Sequence, residues 1–407
     1  MTCSPLRSHG CRTLVITFLP GAGAAVPGVL HGQDVAVDAA AWTVGPEPMA
    51  IYGSVEGVAD GGFVQVAGVA LGPSGMIAVA DGQFLSISLF AADGNLVATI
   101  GRQGDGPGEF SSIGSLVSDP EGRLFAFDNG HQRMSEWTFE GEFVRDTRLT
   151  RQGSDRSVAQ VGRFGDGRWF AREFERVVAA QVNSLAQDTV GFFELVDGAV
   201  GDVLTRVPGG ITTQIELGGQ SMGRGVLLSP RSLGVVWGRC LLAGTSDTPV
   251  LRLVDSTGGE VGEVNLMVEV EPGREEHRSD WIAAMLAMVG DMAGPQERMM
   301  LETLAEATPM AEWVPFASDL LVDDLGYIWA QRYELPEGGA GTEWGVFTET
   351  GSSVGTVVLP ERFHAVGISA DTILGVFTDE LGRQDVRIYF LDRGGDMATR
   401  PMPAGCS

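Results

Sequence analysis

The chain has 407 residues, with 27 basic and 53 acidic side chains and a formal net charge of −26. That charge repels nucleic-acid phosphate and anionic lipid alike, and no basic cluster in the sequence offsets it, so neither is expected as a partner. All 27 basic residues are arginine; without lysine the chain has no Schiff-base amine and no Walker-type phosphate loop.

Arg7 and Arg12 precede an apolar stretch from Thr13 to Leu19, and Ala22-Gly23-Ala24 supplies a small-x-small cleavage pattern. Residues 1–32 therefore read as a signal peptide, which predicts an exported protein: periplasmic, on the cell surface or secreted. Pro20 and the nearby glycines cut the apolar run too short to span a bilayer. No Leu-x-x-Cys box precedes Cys3 or Cys11, so no lipid anchor is expected. The mature chain keeps Cys240 and Cys406. An oxidising compartment would allow them to pair, but Cys240 falls in a predicted buried strand, and the preferred reading is a packed thiol.

From residue 66 onward one structural phrase recurs. In the first copy, Val66 to Arg102, a turn at Pro73-Ser74-Gly75 leads into Met76-Ile77-Ala78-Val79-Ala80-Asp81; in the second, Ile113 to Leu149, Asp119-Pro120-Glu121-Gly122 leads into Arg123 to Asp128. Gly75 and Gly122 stand 47 positions apart, as do Asp81 and Asp128, Phe90 and Trp137, and Gly94 and Gly141. A fixed period of this size filled with short strands predicts stacked β-sheet units. Each unit reads as four strands: a continuous apolar run covered on both faces, an alternating strand such as Leu85 to Leu89, a hairpin at Asp93-Gly94, and an outer strand. One such sheet cannot bury its own faces, and stacking around an axis solves that.

Weaker copies follow at Gly165 to Ala171, Val236 to Asp255, Asp323 to Trp329 and Ala370 to Leu391. The predicted fold is an all-β, six-bladed β-propeller of four-stranded antiparallel blades over residues 40–393. The segment Trp42 to Tyr52 has no unit of its own, and we read it as a strand that joins the last blade and closes the ring. Seven blades is the competing count, because the stretch from Thr205 to Arg231 shows no clear pattern. Residues 394–407 read as a C-terminal tail.

One insertion breaks the β pattern. Residues 271–311 carry helical spacing, with Trp281, Met285, Met288 and Met292 on one face, a break at Gly290 to Gly294, and Pro295 at a helix start. The expectation is a helical hairpin between blades four and five. Its methionine face is an adaptable binding surface or, in the preferred reading, the side that packs down on the domain.

Gly101-Arg102-Gln103-Gly104-Asp105-Gly106-Pro107-Gly108-Glu109-Phe110 resembles the Gly-Pro-Gly-Glu-Phe link of bacterial six-bladed β-propellers related to NHL repeats. Asp128 to Met134, followed by Trp137, resembles the NHL phrase with its aspartate, arginine and aromatic residue. The likeness runs from about Trp42 to Arg393. It departs in the first unit, where Ser86 stands in the arginine position, and in the third, where Glu173 replaces the aspartate. The resemblance implies an exported propeller with a binding role rather than a reaction.

The candidate ligand-binding residues at blade junctions are Arg102, Asp105, Glu109, His131, Arg133 and His364. The glycine-rich link is no phosphate cradle, since it lacks lysine and Pro107 removes a donor. Asp81, Asp128 and Asp255 sit where aspartate ordinarily accepts turn N–H groups. No Gly-x-Ser-x-Gly elbow or zinc spacing appears, and His131, His277 and His364 share no motif. No catalytic residue, metal ligand or cofactor is therefore assigned. Calcium remains open through carboxylates such as Glu109, Asp119 and Asp371. The function expected is that of a monomeric, non-catalytic propeller binding a protein, peptide or glycan at one end of its channel. The alternative is a calcium- or zinc-dependent hydrolase or lyase on the axis.

Overall fold

The structure is a computed structural model that describes residues 42–53, 62–151, 156–289, 294–334, 342–394 and 399–407. The expected signal peptide, with Cys3 and Cys11, lies outside these residues.

Two short N-terminal strands, β1 (Thr43–Val44) and β2 (Ala50–Tyr52), precede the first full sheet. That sheet holds β3 (Val66–Leu71), β4 (Ile77–Asp81), β5 (Ser86–Phe90) and β6 (Leu96–Ile100), and the second holds β7 (Ile113–Ser118), β8 (Arg123–Asp128), β9 (Arg133–Thr138) and β10 (Phe143–Arg148). Both are simple antiparallel meanders whose registers match residue for residue: Asp81 pairs with Val66 and Ser86, and Asp128 with Ile113 and Arg133. Gly75 and Gly122, at φ 78° and 80°, take the left-handed backbone that the turn before each second strand requires. A methyl group at Gly122 would also sit 2.7 Å from the Pro73 ring of the neighbouring sheet.

The third sheet departs from this plan. Strand β11 (Thr150–Arg151) pairs in parallel with β15 (Ala199–Leu217), which follows β12 (Gln160–Arg163), β13 (Trp169–Glu175) and the twelve-residue β14 (Leu185–Val196). The far half of β15 then pairs with β16 (Gln220–Gly225). The stretch from Thr205 to Arg231, open in the sequence as a seventh unit, is thus largely an extension of the third sheet. The fourth sheet holds β17 (Ser232–Trp237), β18 (Cys240–Thr245), β19 (Val250–Asp255) and β20 (Glu260–Asn265).

Two helices come next, α1 (Glu275–Val289) and α2 (Pro295–Ala307). They are joined to each other by Arg278 of α1, which donates to the Thr308 carbonyl at 2.8 Å and to that of Ala305 in α2. The hairpin's exit is anchored at Leu227, whose N–H donates to the Pro309 carbonyl and whose carbonyl accepts the Ala311 N–H, each at 2.9 Å. Trp281 and Met285 are half-buried and Ala284 is fully buried; the Met288 side chain and Met292 lie outside the described set.

The fifth sheet holds β21 (Ala317–Val322), β22 (Ile328–Arg332), β23 (Glu343–Phe347) and β24 (Ser353–Val358), and the last holds β25 (Phe363–Ile368), β26 (Thr372–Thr378) and β27 (Gln384–Asp392). Both N-terminal strands pair antiparallel with β27, β1 at Leu391 and Asp392 and β2 at Val386 to Ile388, so they supply the strand beyond it.

Apolar clusters lie between successive sheets. Leu89 meets Phe139 between the first and second; Phe127 meets Val161 between the second and third; Phe192 meets Leu241 between the third and fourth. Leu253 shares a cluster with Ile328, and Trp344 shares one with Phe363. A further cluster joins Val376 and Val386 of the last sheet to Ile77 and Phe90 of the first. Side chains such as Trp329, Trp344 and Phe127 are fully buried there, each contributing roughly 1.5–3 kcal/mol of transfer free energy. The result is a mostly β, β-propeller-like fold. Among the described residues, no helix is long and apolar enough to cross a membrane.

One expectation is overturned. Cys240 and Cys406 form a disulfide. The tail folds back along the start of β18, where the Arg239 N–H donates to the Cys406 carbonyl at 2.8 Å, and this brings the two sulfurs together. Burial of Cys240 does not argue against pairing, because the partner arrives from the far end of the chain and is itself buried.

Candidate functional site

Five of the six candidate residues come together at the glycine-rich link between β6 and β7. Arg102 Nε donates to Glu109 Oε1 at 2.8 Å, and Glu109 Oε2 accepts the Gly106 N–H at 2.8 Å. The Gly106 N–H, then Arg102, hold the Glu109 carboxyl below its ordinary range. Arg133 reaches back from β9 and donates to the carbonyls of Gly106 (2.8 Å), Asp105 (3.2 Å) and Glu109. His131 bridges two carboxylates: Nε2 lies 2.9 Å from Asp105 Oδ1 and Nδ1 lies 2.6 Å from Asp128 Oδ2. Hydrogen bonds to Asp105 and Asp128 raise the imidazole pKa against the effect of burial, and in the protonated form both ring nitrogens donate. These polar groups are largely directed at one another and at the link's own backbone.

The turn aspartates do what their positions imply. Asp128 is buried and accepts N–H groups from Ser111, Ser112, Gly130 and His131. Asp81 accepts from Val64, Gln83 and Phe84, and Asp255 from Thr257 and Gly259.

His364, the sixth candidate, lies elsewhere. It stands near the start of β25, exposed, with Nε2 3.9 Å from Asp319 Oδ2 of β21. Asp319 belongs to a polar group that the sequence reading missed. Arg172 of β13 donates to Gln160 Oε1 of β12 and to Ser232 Oγ of β17, each at 2.9 Å. Its guanidinium lies 5.0 Å from the Phe174 ring centroid. Burial lowers the Arg172 pKa, with Asp319 acting in the opposite sense. Burial likewise raises that of the Asp319 carboxyl, against the Leu320 N–H and the charges of His364, Arg172 and Arg231. Yet the Asp319 side chain is 45% exposed. A group walled in by protein on most sides but open to water along one direction has both properties, and exposure sets the limit on how strongly its charge is perturbed.

This group draws on four sheets: Gln160 and Arg172 from the third, Ser232 from the fourth, Asp319 from the fifth and His364 from the sixth. Except for Arg172, each of these lies at or near the beginning of its sheet's first strand. First strands lie side by side, β3 against β7, β7 against β12, β17 against β21 and β21 against β25. A cavity of about 550 Å³ opens beside the group, lined by Arg172, Arg176, Arg224, Arg231, Trp281 and Tyr333 among others. That volume is in the range of small-molecule sites.

For metals, the described residues contain no group of three or more His, Cys, Asp or Glu side chains placed to share an ion. Glu109 is engaged by Arg102, Asp119 by Arg123 and Asp371 by Ser369, in three separate places. His277 accepts the Arg274 N–H at 3.0 Å beside the first turn of α1.

No family model matches the chain, and no curated protein matches it. Solved structures do. A member of the DUF4221 family from Bacteroides vulgatus is 11% identical, with 86% of this chain and 98% of that one covered at a TM-score of 0.50. A PQQ-bound aldose sugar dehydrogenase from Streptomyces coelicolor is 13% identical over 86% of this chain and 98% of its own, with a TM-score of 0.42. Virginiamycin B lyase from Staphylococcus aureus is 11% identical over 81% and 94%, with a TM-score of 0.40. The first likeness is one of fold, and the other two are too distant to carry an argument.

Proposed function

We propose that the chain is an exported six-bladed β-propeller, closed through β1 and β2, that binds its ligand without chemistry at the end of the axis where the first strands begin. The observation that carries this reading is the convergence of Arg172, Ser232, Asp319 and His364 from four sheets beside a cavity of ligand size. Ring closure is supported by the apolar cluster between the last sheet and the first and by the strand pairing at β27. Export is supported by the Cys240–Cys406 bond, since such bonds persist in oxidising compartments.

The test is a peptide and glycan array probed with the purified chain from Gln33 onward, alongside a Ser232→Trp variant that fills the mouth. Capture of a ligand by the parent and its loss in a still-folded variant supports the reading. Undiminished capture by the variant, or turnover of the captured molecule, counts against it.

One observation favours the hydrolase or lyase alternative. Asp319, with its carboxyl pKa raised and an imidazole 3.9 Å away, has the character of a general acid. Esters and lactones, assayed with and without a chelator, would reveal such an activity, and Asp319→Asn would abolish it.

A further inference from the structure

Arginine is the only basic residue in this strongly acidic chain, and four arginines meet at one cavity. Arg172 and Arg176 come from β13 and the residue just beyond it, Arg224 from β16, and Arg231 from the position before β17. Among the described residues, Arg176, Arg224 and Arg231 have no carboxylate within ion-pair distance, unlike most arginines here, which have one, as Arg123, Arg151, Arg387 and Arg400 do. Arg172 Nε and Arg224 Nη1 are buried and have no hydrogen-bond partner among the described residues. Burial lowers the pKa of both guanidiniums, which nonetheless stay charged. A buried, unmatched guanidinium donor is costly and calls for a partner.

Two carboxylates face the four cations. Asp188 lines the cavity and accepts the Val177 N–H at 2.8 Å, and Asp319 sits beside Arg172 and Arg231. The site therefore keeps an excess of about two positive charges, inside walls that focus the field. Aromatic rings line the cavity as well: Trp281 of α1, with the Arg224 guanidinium 6.0 Å from its ring centroid, and Tyr333 beyond β22.

We propose that this cavity binds a small organic dianion. Its carboxylate, phosphate or sulfate groups are gripped by the forks of Arg172, Arg224 and Arg231, while its body lies against Trp281 and Tyr333. Planar guanidiniums match such oxyanions in paired hydrogen bonds, which a neutral ligand cannot offer. The helical insertion gains a role in this arrangement, because Trp281 supplies one wall. The proposal rests on the axis-end binding reading and adds the chemical class of the ligand.

The experiment is calorimetric titration of the chain from Gln33 with four probes: glucose 6-phosphate, galactarate, glucose and inorganic phosphate. At least one of the two organic dianions is expected to bind, more weakly as salt is raised. Arg224→Gln should lose ~10-fold or more in affinity, while Arg383→Gln, an exposed arginine remote from the cavity, should not. Arg224 is the main probe because it sits on the edge strand β16, whereas Arg172→Gln removes a bond between two sheets. Glucose binding as tightly as the dianions would overturn the anion class yet leave axis-end binding intact. Inorganic phosphate matching glucose 6-phosphate would overturn the role given to the aromatic wall. If no dianion binds, or if Arg224→Gln has no effect, the proposal fails, and the array result with Ser232→Trp then decides separately whether the mouth binds anything.

Discussion

Arg393 and Asp323, 70 residues apart, form an ion pair at 2.7 Å with both side chains essentially out of water, at 2% and 0% exposure. The guanidinium also donates to the carbonyls of Ala370 and Ser369 and lies 4.3 Å from the Trp42 ring centroid. Asp323 accepts the Leu325 and Tyr327 N–H groups and the Trp329 indole N–H. One contact thus joins the fifth sheet, the last sheet and the entering N-terminal segment. Removing either partner leaves a buried charge unmatched, at a cost of about 3–5 kcal/mol. Arg393→Met should lower the denaturation midpoint accordingly. The double variant with Asp323→Asn should recover part of the loss, and strict additivity in a double-mutant cycle would show that the two do not act as a pair.

The glycine-rich link should respond to pH through His131. Hydrogen bonds to Asp105 and Asp128 raise its pKa. A group raised on folding stabilises fully below its unfolded value, about 6.5, and loses that contribution as pH climbs through the folded value. For Asp128, burial pushes the carboxyl pKa up, but the N–H groups of Ser111 and His131 and the His131 ring outweigh it, so the net shift is downward. Its contribution is present above the unfolded value, about 3.9, and fades as pH falls through the folded one. The pair is therefore strongest from about pH 4 to about 6.5. Thermal melts of the parent and His131→Gln should differ most near the middle of that window. The gap should close toward alkaline pH; a constant difference would mean that the imidazole's charge is not what holds the link.

The disulfide closes a loop of 166 residues between β18 and the tail. Cross-links of this kind stabilise by roughly 2–4 kcal/mol, chiefly by restricting the unfolded chain. Cys406→Ser and a reducing agent should therefore lower the unfolding midpoint of the chain by similar amounts, with no further loss when the variant is reduced. Free-thiol titration under denaturing, non-reducing conditions gives the direct check. Two reactive thiols in the chain from Gln33 would contradict the bond.

The repeated sheets were legible because their turns are chemically demanding. Gly75 and Gly122 need left-handed backbone, Asp81 and Asp128 need turn N–H groups to accept, and both requirements leave residues at a fixed period. The pairing of the N-terminal segment with the last sheet could be read for a complementary reason, since Trp42 to Tyr52 had no unit of its own. The polar group around Arg172 left no such trace. Arg172, Ser232 and Asp319 come from different sheets, and an arginine meeting a serine 60 positions away imposes no spacing on either. A β-bulge between Ala317 and Asp319 also shifts the alternation that would have marked Asp319 as facing inward. Where the tail packs was not legible, because residues 399–407 have no periodicity. Their place is fixed by long-range bonds such as the Arg400 N–H to the Leu325 carbonyl.

Trp42 tests whether the N-terminal segment holds the last sheet in place. Its side chain is 4% exposed, with its ring centroid 5.3 Å from that of Tyr327, edge to face, and 5.8 Å from that of Trp329. It enters directly before β1, which pairs with Leu391 and Asp392. Trp42→Ala removes a large apolar body from a packed cluster and should cost about 3–5 kcal/mol. The loss should also be local in its first effects. Amide hydrogen exchange is expected to speed up along β27, whose outer neighbours β1 and β2 are released, before it does so in β7 to β10. Equal acceleration in the second sheet would mean that the segment stabilises the whole chain without serving as the strand that secures the last sheet.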